Sequence, residues 1–454
     1  MTAPPPSAAT PANTPPGWIC PCCSLHCDDL ALAHDARLPA SVCPRASAAL
    51  ATLQPPAGTG IAVATGARAA SARIRGQAVS TDAALRHAAA LLAGSRQPLF
   101  GGLATDVNGA RALVRLAGRC GAICDHAHGE PLALATRVLH DQGAWQVTLG
   151  EVAARAATVL VIGSDPAARH PRFWQRIQAD RPGSPLRRVV FLGLKDDPAL
   201  AATRLQAVAR AAGRAADAVA VTELASGADL FDSVQALALA LRPRPPATLD
   251  SRWTALAAEL RAAPYTCVVW EAGQLPRHGE LVAAAVQSIV ATLNATTRAG
   301  SVALAGGDGA ATAQQVHTWL TGLPLRTRLP SEPGGRIEHD PIRHGAQRLL
   351  TDHGCDALLW VSSITALAPP AAAAGLPTIV LGPPALAVEG AGAPEVYLPV
   401  ATPGLHHTGH LFRSDGIIAM PVQAPLASTL PEVATVVRQL DAALQQLDVQ
   451  EVAA

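Results

Sequence analysis

The chain has 454 residues, which at roughly 150 residues per domain predicts two or three domains. Hydrophobic residues make up 49% of it and charged residues 15%, a composition that excludes a disordered protein and a coiled coil. The formal charge is +1 and aromatic residues make up 3%, so neither a basic surface nor base-stacking side chains favour nucleic-acid binding.

Residues 1–17, MTAPPPSAATPANTPPG, have neither a basic start nor an apolar run, so we expect a disordered tail rather than a secretory signal. No stretch reaches the ~18 uncharged apolar residues of a membrane span. We therefore expect a cytoplasmic protein that does not cross a membrane. In such a protein, clustered cysteines are more often metal ligands than disulfide partners.

A cysteine-rich lobe is predicted at residues 18–55. Four cysteines follow the spacing C-x2-C-x3-C-x15-C: Cys20, Cys23, Cys27 and Cys43. Four thiolates are what a 4Fe–4S cluster or a tetrahedral zinc site requires, and unligated cysteines are the third alternative. The spacing favours the 4Fe–4S cluster, because zinc sites more often use paired C-x2-C turns. Cys22 is an extra cysteine that leaves the ligand assignment ambiguous.

Helices and strands alternate in a first lobe at residues 56–245. Continuous apolar runs closed by Gly or Ser are typical of buried parallel strands. Such strands are predicted at Pro98–Leu103, Ala156–Gly163, Arg188–Leu194 and, more weakly, Ala218–Val221. Helical spacing predicts helices at Thr81–Leu92, Val107–Cys120 and Leu230–Leu241.

The Pro-rich stretch Arg242–Thr248 predicts a linker, after which the pattern restarts in a second lobe at residues 246–425. Its predicted strands are Tyr265–Glu271, Ser301–Leu304, Ala357–Val361, Thr378–Leu381 and Val396–Val400. A helix is predicted at His278–Leu293, and residues 426–454 are expected to form a C-terminal helix and tail. The alternation predicts an α/β fold with two doubly wound parallel-sheet lobes.

Doubly wound sheets bind ligands at the carboxyl ends of their strands, and few polar residues follow the predicted strands here. Asp165 and His170 come just after a predicted strand, where its carboxyl end would face a ligand. Asp106 follows another strand, and we interpret it as a helix cap. The sequence offers no convincing nucleophile–base pair, two-metal carboxylate set or phosphate-binding glycine loop. No catalytic residue is therefore predicted.

Six segments stand out in order along the chain: CDDL at Cys27–Leu30, CDHAHG at Cys124–Gly129, TLGEV at Thr148–Val152, VIGSDPAARHPR at Val161–Arg172, AGGDGAATAQQVHTWLTGLP at Ala305–Pro324 and PGLHHTGHLFRSDG at Pro403–Gly416. Their order and spacing resemble the B subunit of formylmethanofuran dehydrogenase, over residues 18–420. The resemblance implies a molybdopterin-oxidoreductase-like fold with a 4Fe–4S cluster. It also implies a tungsten or molybdenum pterin that reduces carbon dioxide to formate.

One tripeptide of the family's metal site differs in this chain. The family ligates its metal through a cysteine in a Cys-His-Gly step, and the matching residues here are Ala127, His128 and Gly129. Asp125 and His126 are the alternative ligands nearby. We expect no tungsten or molybdenum pterin. Asp125, Ala127 and His128 would then be a remnant of the metal site, and Asp165 and His170 a remnant of the loop that faces the pterin in the family.

The altered step matches one branch of the family, which the chain most resembles: the B subunit of the bacterial formyltransferase/hydrolase complex. That resemblance implies a complex that converts formyl-tetrahydromethanopterin to formate through formylmethanofuran, without electron transfer. We therefore expect a structural, non-catalytic subunit whose partners are the amidohydrolase (A), C and formyltransferase (D) subunits. The low charged fraction agrees, because charged residues are depleted at interface cores.

Two other functions remain open from the sequence. One is an active tungsten or molybdenum formylmethanofuran dehydrogenase subunit, which the residue at position 127 argues against. The other is a free-standing iron–sulfur electron carrier, which would have no need of a second large lobe.

Overall fold

The computed structural model describes residues 17–32, 38–53, 71–179, 181, 183–211, 219–304, 307–386 and 392–453. The tail predicted at residues 1–17 lies outside the described residues except for Gly17. None of the helices in these ranges combines the length and the apolar character that a membrane span requires.

The strands of the described residues form three sheets. Their bounds are β1 Arg73–Ile74, β2 Gln77–Ala78, β3 Pro98–Ala104, β4 Ile123–Cys124, β5 Thr158–Ile162, β6 Arg188–Leu192, β7 Ala220–Leu224, β8 Thr266–Glu271, β9 Ala299–Leu304, β10 Thr327–Arg328, β11 Glu338–His339, β12 Ala357–Ser362, β13 Thr378–Gly382, β14 Val396–Pro399, β15 Gly409–Phe412 and β16 Ala419–Val422.

Helices cover the faces of these sheets. Their bounds are α1 Pro44–Leu53, α2 Thr81–Ala93, α3 Val107–Cys120, α4 Gly129–Gln142, α5 Leu149–Arg155, α6 Pro166–Arg169, α7 Phe173–Arg176, α8 Pro198–Ala211, α9 Leu230–Ala240, α10 Ser251–Ala262, α11 Gly279–Leu293, α12 Ala310–Thr321, α13 Ala346–Thr351 and α14 Val433–Ala453. Asp106 caps α3, as predicted, because its Oδ1 accepts a hydrogen bond from Gly109 N at 3.0 Å.

The small sheet has five parallel strands in the order β7-β6-β5-β8-β9. Every residue of β5 and β8 is buried, which explains why these strands read as continuous apolar runs. The strand order reverses between β5 and β8, as it does at the switch point of a doubly wound sheet.

The large sheet has nine strands in the order β11-β10-β4-β3-β12-β13-β14-β1-β2. Its middle, from β4 to β14, is parallel, and an antiparallel pair flanks it on each side. The order reverses between β3 and β12, where Leu99 is paired with Leu358. This sheet therefore has its own switch point.

The parallel α/β architecture is confirmed, but the sheets divide the chain differently from the predicted lobes 56–245 and 246–425. β8 and β9 follow residue 245 and yet complete the small sheet, while β3 and β4 precede it and pair within the large sheet. The chain leaves the large sheet after β4, builds the whole small sheet, and then returns. Arg242–Thr248 is thus a connection inside one unit, because a local Pro-rich pattern carries no information on strand pairing.

The cysteine-rich segment at 17–32 and 38–53 shares a core with the small sheet. Leu25 is completely buried there, together with Val159 of β5 and Phe191 of β6. A two-stranded sheet, β15 and β16, adjoins this segment through a backbone hydrogen bond from Ser414 to Ser24. The segment is therefore packed onto one face of the body of the protein.

Candidate functional site

The carboxyl ends of β3, β4 and β12 meet at the switch point of the large sheet. Thr105 and Asp106 follow β3, Asp125 follows β4, and Ser363 follows β12. Ser363 donates from both N and Oγ to Ala104 O at 2.8 Å, which holds two of these ends together. Ligands of open α/β sheets bind in the crevice at such a point. This edge is the candidate functional site.

Asp125 is the buried carboxylate of this edge. Its Oδ1 accepts a hydrogen bond from His126 N at 2.9 Å, and its Oδ2 accepts one from Ala346 N at 2.7 Å. Oδ2 also lies 3.4 Å from Arg326 Nε. Burial raises the pKa of Asp125 to about 6, although Arg326 acts to lower it. Both carboxylate oxygens are thus engaged by protein groups.

Two histidines of the same loop contact Asp308, which lies beyond β9 of the small sheet. His126 Nδ1 accepts a hydrogen bond from His128 N at 2.9 Å, so Nε2 carries the proton and donates to Asp308 O at 2.9 Å. His128 Nε2 lies 3.2 Å from Asp308 Oδ2. Burial lowers the pKa of His126 to about 4, so this ring is neutral at pH 7.

Asp308 stays ionised although it is buried. Burial by itself would raise its pKa, but hydrogen bonds from His128 and Thr365 lower it overall. Its backbone is left-handed, with φ of 58°. The loop after the small sheet is thereby fastened to the carboxyl ends of the large sheet.

Ala127 lies between the two histidines, at the position where the resemblance implies a metal-ligating cysteine in the family. Its N donates to Gly102 O at 3.2 Å, and its side chain packs beside the apolar cluster that contains Trp360. A methyl group has no electron pair for a metal. Asp125 and His126 already use their oxygens and ring nitrogens in protein hydrogen bonds. The side chains of residues 125–127 therefore do not fit a tungsten or molybdenum centre.

The four cysteines of the predicted cluster lie buried in a single core: Cys20, Cys23, Cys27 and Cys43. Burial raises the pKa of Cys23 to about 12 and also raises the pKa of Cys27 and Cys43. The neighbouring Cys22 thiol and burial both raise the pKa of Cys20. Cys20 N donates a backbone hydrogen bond to Cys27 O at 2.9 Å, which places these two cysteines side by side.

The fit of this thiol set to a metal depends on the kind of centre. Within the described ranges, no three or more His, Cys, Asp or Glu side chains are arranged to hold one metal ion. A single zinc ion needs four ligands converging on one point, whereas an iron–sulfur cluster is held by thiolates on different irons. Four thiols in one buried core are the donor set that either centre requires.

Ion pairs outside the thiol set hold the cysteine segment against α7. Arg172 donates to both carboxylate oxygens of Asp29, at 3.1 and 2.6 Å. Arg176 pairs in the same two-point manner with Asp28. These carboxylates belong to the CDDL motif, so the motif has a structural use that is independent of any metal.

Asp165 and His170 lie at the switch point of the small sheet, as their place after a strand predicted. Asp165 is completely buried; its Oδ1 caps α6 through Ala167 N at 2.9 Å, and its Oδ2 accepts from Arg204 Nη1 at 2.6 Å. His170 Nε2 lies 3.3 Å from Ser24 Oγ of the cysteine segment. Both side chains are thus in hydrogen-bonding contact with other residues of the protein.

Glu271 ends β8 beside this switch point and is a buried carboxylate. Arg169 donates Nε to Oε2 at 2.6 Å and Nη2 to Oε1 at 3.1 Å, and Ser164 Oγ donates to Oε1 at 3.4 Å. Burial raises the pKa of Glu271, while Arg169 acts to lower it. The charged residue at the end of an apolar strand was a signal for a buried partner, but nothing local identified Arg169.

Comparison with known proteins identifies relatives of the chain. No protein-family model matches the chain. The chain is 30% identical over 375 residues to the Fhc B subunit of the formyltransferase/hydrolase complex of Methylorubrum extorquens, a match covering 80% of this chain and 94% of that protein. A chain in the crystal structure of the formyltransferase/hydrolase complex FhcABCD from Methylorubrum extorquens with methylofuran matches with a TM-score of 0.68 and 27% identity, covering 84% of this chain and 100% of that one.

Proposed function

The chain belongs to the family of the formyltransferase/hydrolase complex B subunits, and we propose that it is a structural, non-catalytic member of such a complex. The observation that carries the proposal is the loop at the switch point of the large sheet. Ala127 offers no ligand there, and Asp125 and His126 are occupied by internal hydrogen bonds. Such a loop supplies no side chain for the family's metal chemistry.

The complex would convert formyl-tetrahydromethanopterin to formate through formylmethanofuran. Its other members would be the amidohydrolase (A), C and formyltransferase (D) subunits. Formyl transfer and hydrolysis move no electrons, so the B subunit would need no redox metal. Membership of the family supports these partners, since the related complex is FhcABCD and is in complex with methylofuran.

A 4Fe–4S cluster of structural use is the proposed occupant of the thiol set. Its ligands would be Cys20, Cys23, Cys27 and Cys43, which share one buried core. An electron relay is useful only with a redox centre at its end, and the proposed absence of a tungsten or molybdenum pterin removes that end. The cluster would therefore stabilise the packing of the cysteine segment.

The finer description of the fold is also a proposal: a molybdopterin-oxidoreductase-like body with a small N-terminal cysteine-rich lobe. The two switch points and the cysteine segment packed against the small sheet support it. We further propose a cytoplasmic location. None of the nine cysteines, which all lie in the described ranges, forms a disulfide, as is usual in a reducing compartment.

Reconstitution of the complex tests the proposal. The chain is co-expressed with the A, C and D subunits, purified by gel filtration, and assayed for formate release from formyl-tetrahydromethanopterin; iron, zinc, tungsten and molybdenum are measured by elemental analysis. We expect one peak with formate release and without stoichiometric tungsten or molybdenum. Stoichiometric tungsten or molybdenum together with formate oxidation would support the dehydrogenase instead. An iron-containing monomer that does not bind the other subunits would support the electron carrier.

A matched pair of cysteine variants tests the cluster. Cys27→Ala removes a proposed ligand, whereas Cys124→Ala removes an equally buried thiol from β4 of the large sheet. We expect about four irons per chain in the wild type and in C124A, and a loss of iron in C27A with formate release partly retained. A fully active complex free of both iron and zinc would show that the motif has no metal.

A further inference from the structure

A cavity of about 580 Å³ opens between the two sheets, next to the candidate site. The start of α4, the turn after β8 and the first turn of α11 form part of its wall. Its charged lining residues are Glu130, Arg137, Glu280, Arg326 and Arg348. The arginines outnumber the glutamates by one, and the volume is in the range of small-molecule sites, about 300–1,000 Å³.

Arg326 is the buried residue of this lining, and not all of its N–H groups make hydrogen bonds. It is 4% exposed and its backbone is left-handed, with φ of 70°, a strained state for a residue other than glycine. Nη1 donates to Pro341 O and Nη2 to Glu130 Oε1. Nε makes no hydrogen bond but lies 3.4 Å from Asp125 Oδ2 in an ion pair, so the donors left for a ligand are the second N–H groups of Nη1 and Nη2.

The guanidinium of Arg326 is also held in place. A Cβ atom built on Gly345 would lie 3.2 Å from Arg326 Cζ and 3.3 Å from both Nη atoms, so the backbone of Gly345 packs directly against the group. A fixed donor group binds a ligand at a smaller cost in side-chain ordering.

We infer that this cavity binds a carboxylate-bearing small molecule, with Arg326 at its buried end and Arg137 and Arg348 at its exposed rim. The planar guanidinium group matches a carboxylate through paired N–H donors. Asp125 and Asp352 pair with Arg326 and Arg348, so the site has no excess positive charge and suits a singly charged carboxylate better than a doubly charged phosphate. Formate is the smallest such ligand. Its assignment as the natural ligand rests on the proposed function, whereas the carboxylate site itself does not.

Direct binding measurements test the site. Equilibrium dialysis of the full chain, purified alone or with its partners, is performed with labelled formate, butyrate or inorganic phosphate at constant ionic strength. We expect saturable carboxylate binding that the double variant Arg137→Gln/Arg348→Gln weakens by about tenfold or more. Arg86→Gln on α2 is the matched control, because it removes one exposed arginine that does not line the cavity.

Arg326→Met should abolish binding, but it also strips Asp125 and Glu130 of their cation, so the rim variant decides the outcome even if R326M does not fold. Butyrate binding more tightly than formate would support a larger carboxylate ligand. Tighter binding of phosphate, equal binding by the rim variant and the wild type, or no saturable binding would overturn the inference. Binding by a chain that does not join the complex would refute only the proposed function, and a complex that binds no carboxylate would refute only this site.

Discussion

Gly129 lies so close to Asp125 that a Cβ atom built on the glycine would be 2.2 Å from Oδ1 and 2.5 Å from Oδ2. The carboxylate of Asp125 fixes the backbone N–H groups of His126 and Ala346. Any side chain at position 129 would displace it. The glycine of the Ala-His-Gly step is thus required by the packing of Asp125, independently of any metal.

Gly129→Ala should therefore lower the free energy of unfolding by about 2 kcal/mol, the usual cost of overpacking a rigid site. Gly118→Ala is the control: this glycine lies inside α3 with nothing within 4 Å of its built Cβ. That change should stabilise the protein by about 0.5–1 kcal/mol through helix propensity. Urea unfolding of the two variants measures both effects, and similar changes in the two would contradict the packing argument.

Acid should destabilise the protein through two buried histidines. Burial lowers the pKa of His26 and of His126 to about 4, so each binds its proton more weakly when folded than when unfolded. Each should cost about 2 kcal/mol of stability at pH 5, a cost that is absent above pH 6.5. Asp125, with its pKa raised to about 6, acts in the opposite direction and offsets about 1 kcal/mol. The free energy of unfolding should therefore fall between pH 7 and pH 5.

His126→Gln isolates one of these terms. The variant loses hydrogen bonds at every pH, but the difference in stability between pH 7 and pH 5 should shrink by about 2 kcal/mol. His410→Gln, at an exposed position of β15, should leave that difference unchanged. Unfolding curves at the two pH values give the comparison, and an unaltered difference in H126Q would show that folding does not lower the pKa of His126.

The local elements of the fold could be predicted because each one has a local cause. The strand at Arg188–Leu192 is a buried apolar run, and the helix Val107–Cys120 has helical spacing, a capping Asp106 and a closing Gly121. The family could be predicted as well, because motif order along the chain needs no knowledge of contacts. The relative from Methylorubrum extorquens confirms it.

Strand pairing and the partners of buried charges could not be predicted in this way. The pairing of β3 with β12 places Leu99 beside Leu358. All the strands of the small sheet lie between these two residues in the sequence. Asp308 lies in a glycine-rich loop that the resemblance marked, but its contact with His128 depends on how the two sheets meet. Arg326 gave no local signal, since its burial depends on Asp125 and Gly345, which are distant in sequence.

The ion pair between Arg169 and Glu271 should be visible in a double-mutant cycle. Arg169→Met leaves a buried carboxylate without its cation and should cost about 2–3 kcal/mol, below the value for a fully buried pair because Arg169 is 31% exposed. Arg169→Met/Glu271→Met should recover most of that loss, because no unpaired charge then remains. Arg252→Met, which breaks an exposed pair with Asp250, should change stability by less than about 0.5 kcal/mol. Thermal unfolding of these variants decides whether the pair is coupled in this way.

Restoring the missing ligand should not restore a metal site. In Ala127→Cys, the thiol would adjoin Asp125 and His126, whose polar atoms already serve the protein itself. We expect no tungsten, molybdenum or acid-released pterin fluorescence in the co-expressed wild type or in A127C, and no formate oxidation by either. A near-equimolar pterin signal in the wild type would defeat this prediction. A signal in the variant alone would mean that the rest of the site has been kept intact.

Solubility should depend on the other members of the complex. The described surface exposes large apolar side chains, among them Trp145 at 54% and Trp319 at 58%, and the charged fraction of the chain is only 15%. Apolar surface of this kind favours aggregation when no partner covers it. Expressed alone, the chain should be poorly soluble, and co-expressed with the amidohydrolase it should elute together with that protein as one peak in gel filtration. Co-expression with an unrelated soluble protein is the control for a general effect of expression. A stable, monodisperse chain with no affinity for the other members would remove the basis for a structural role.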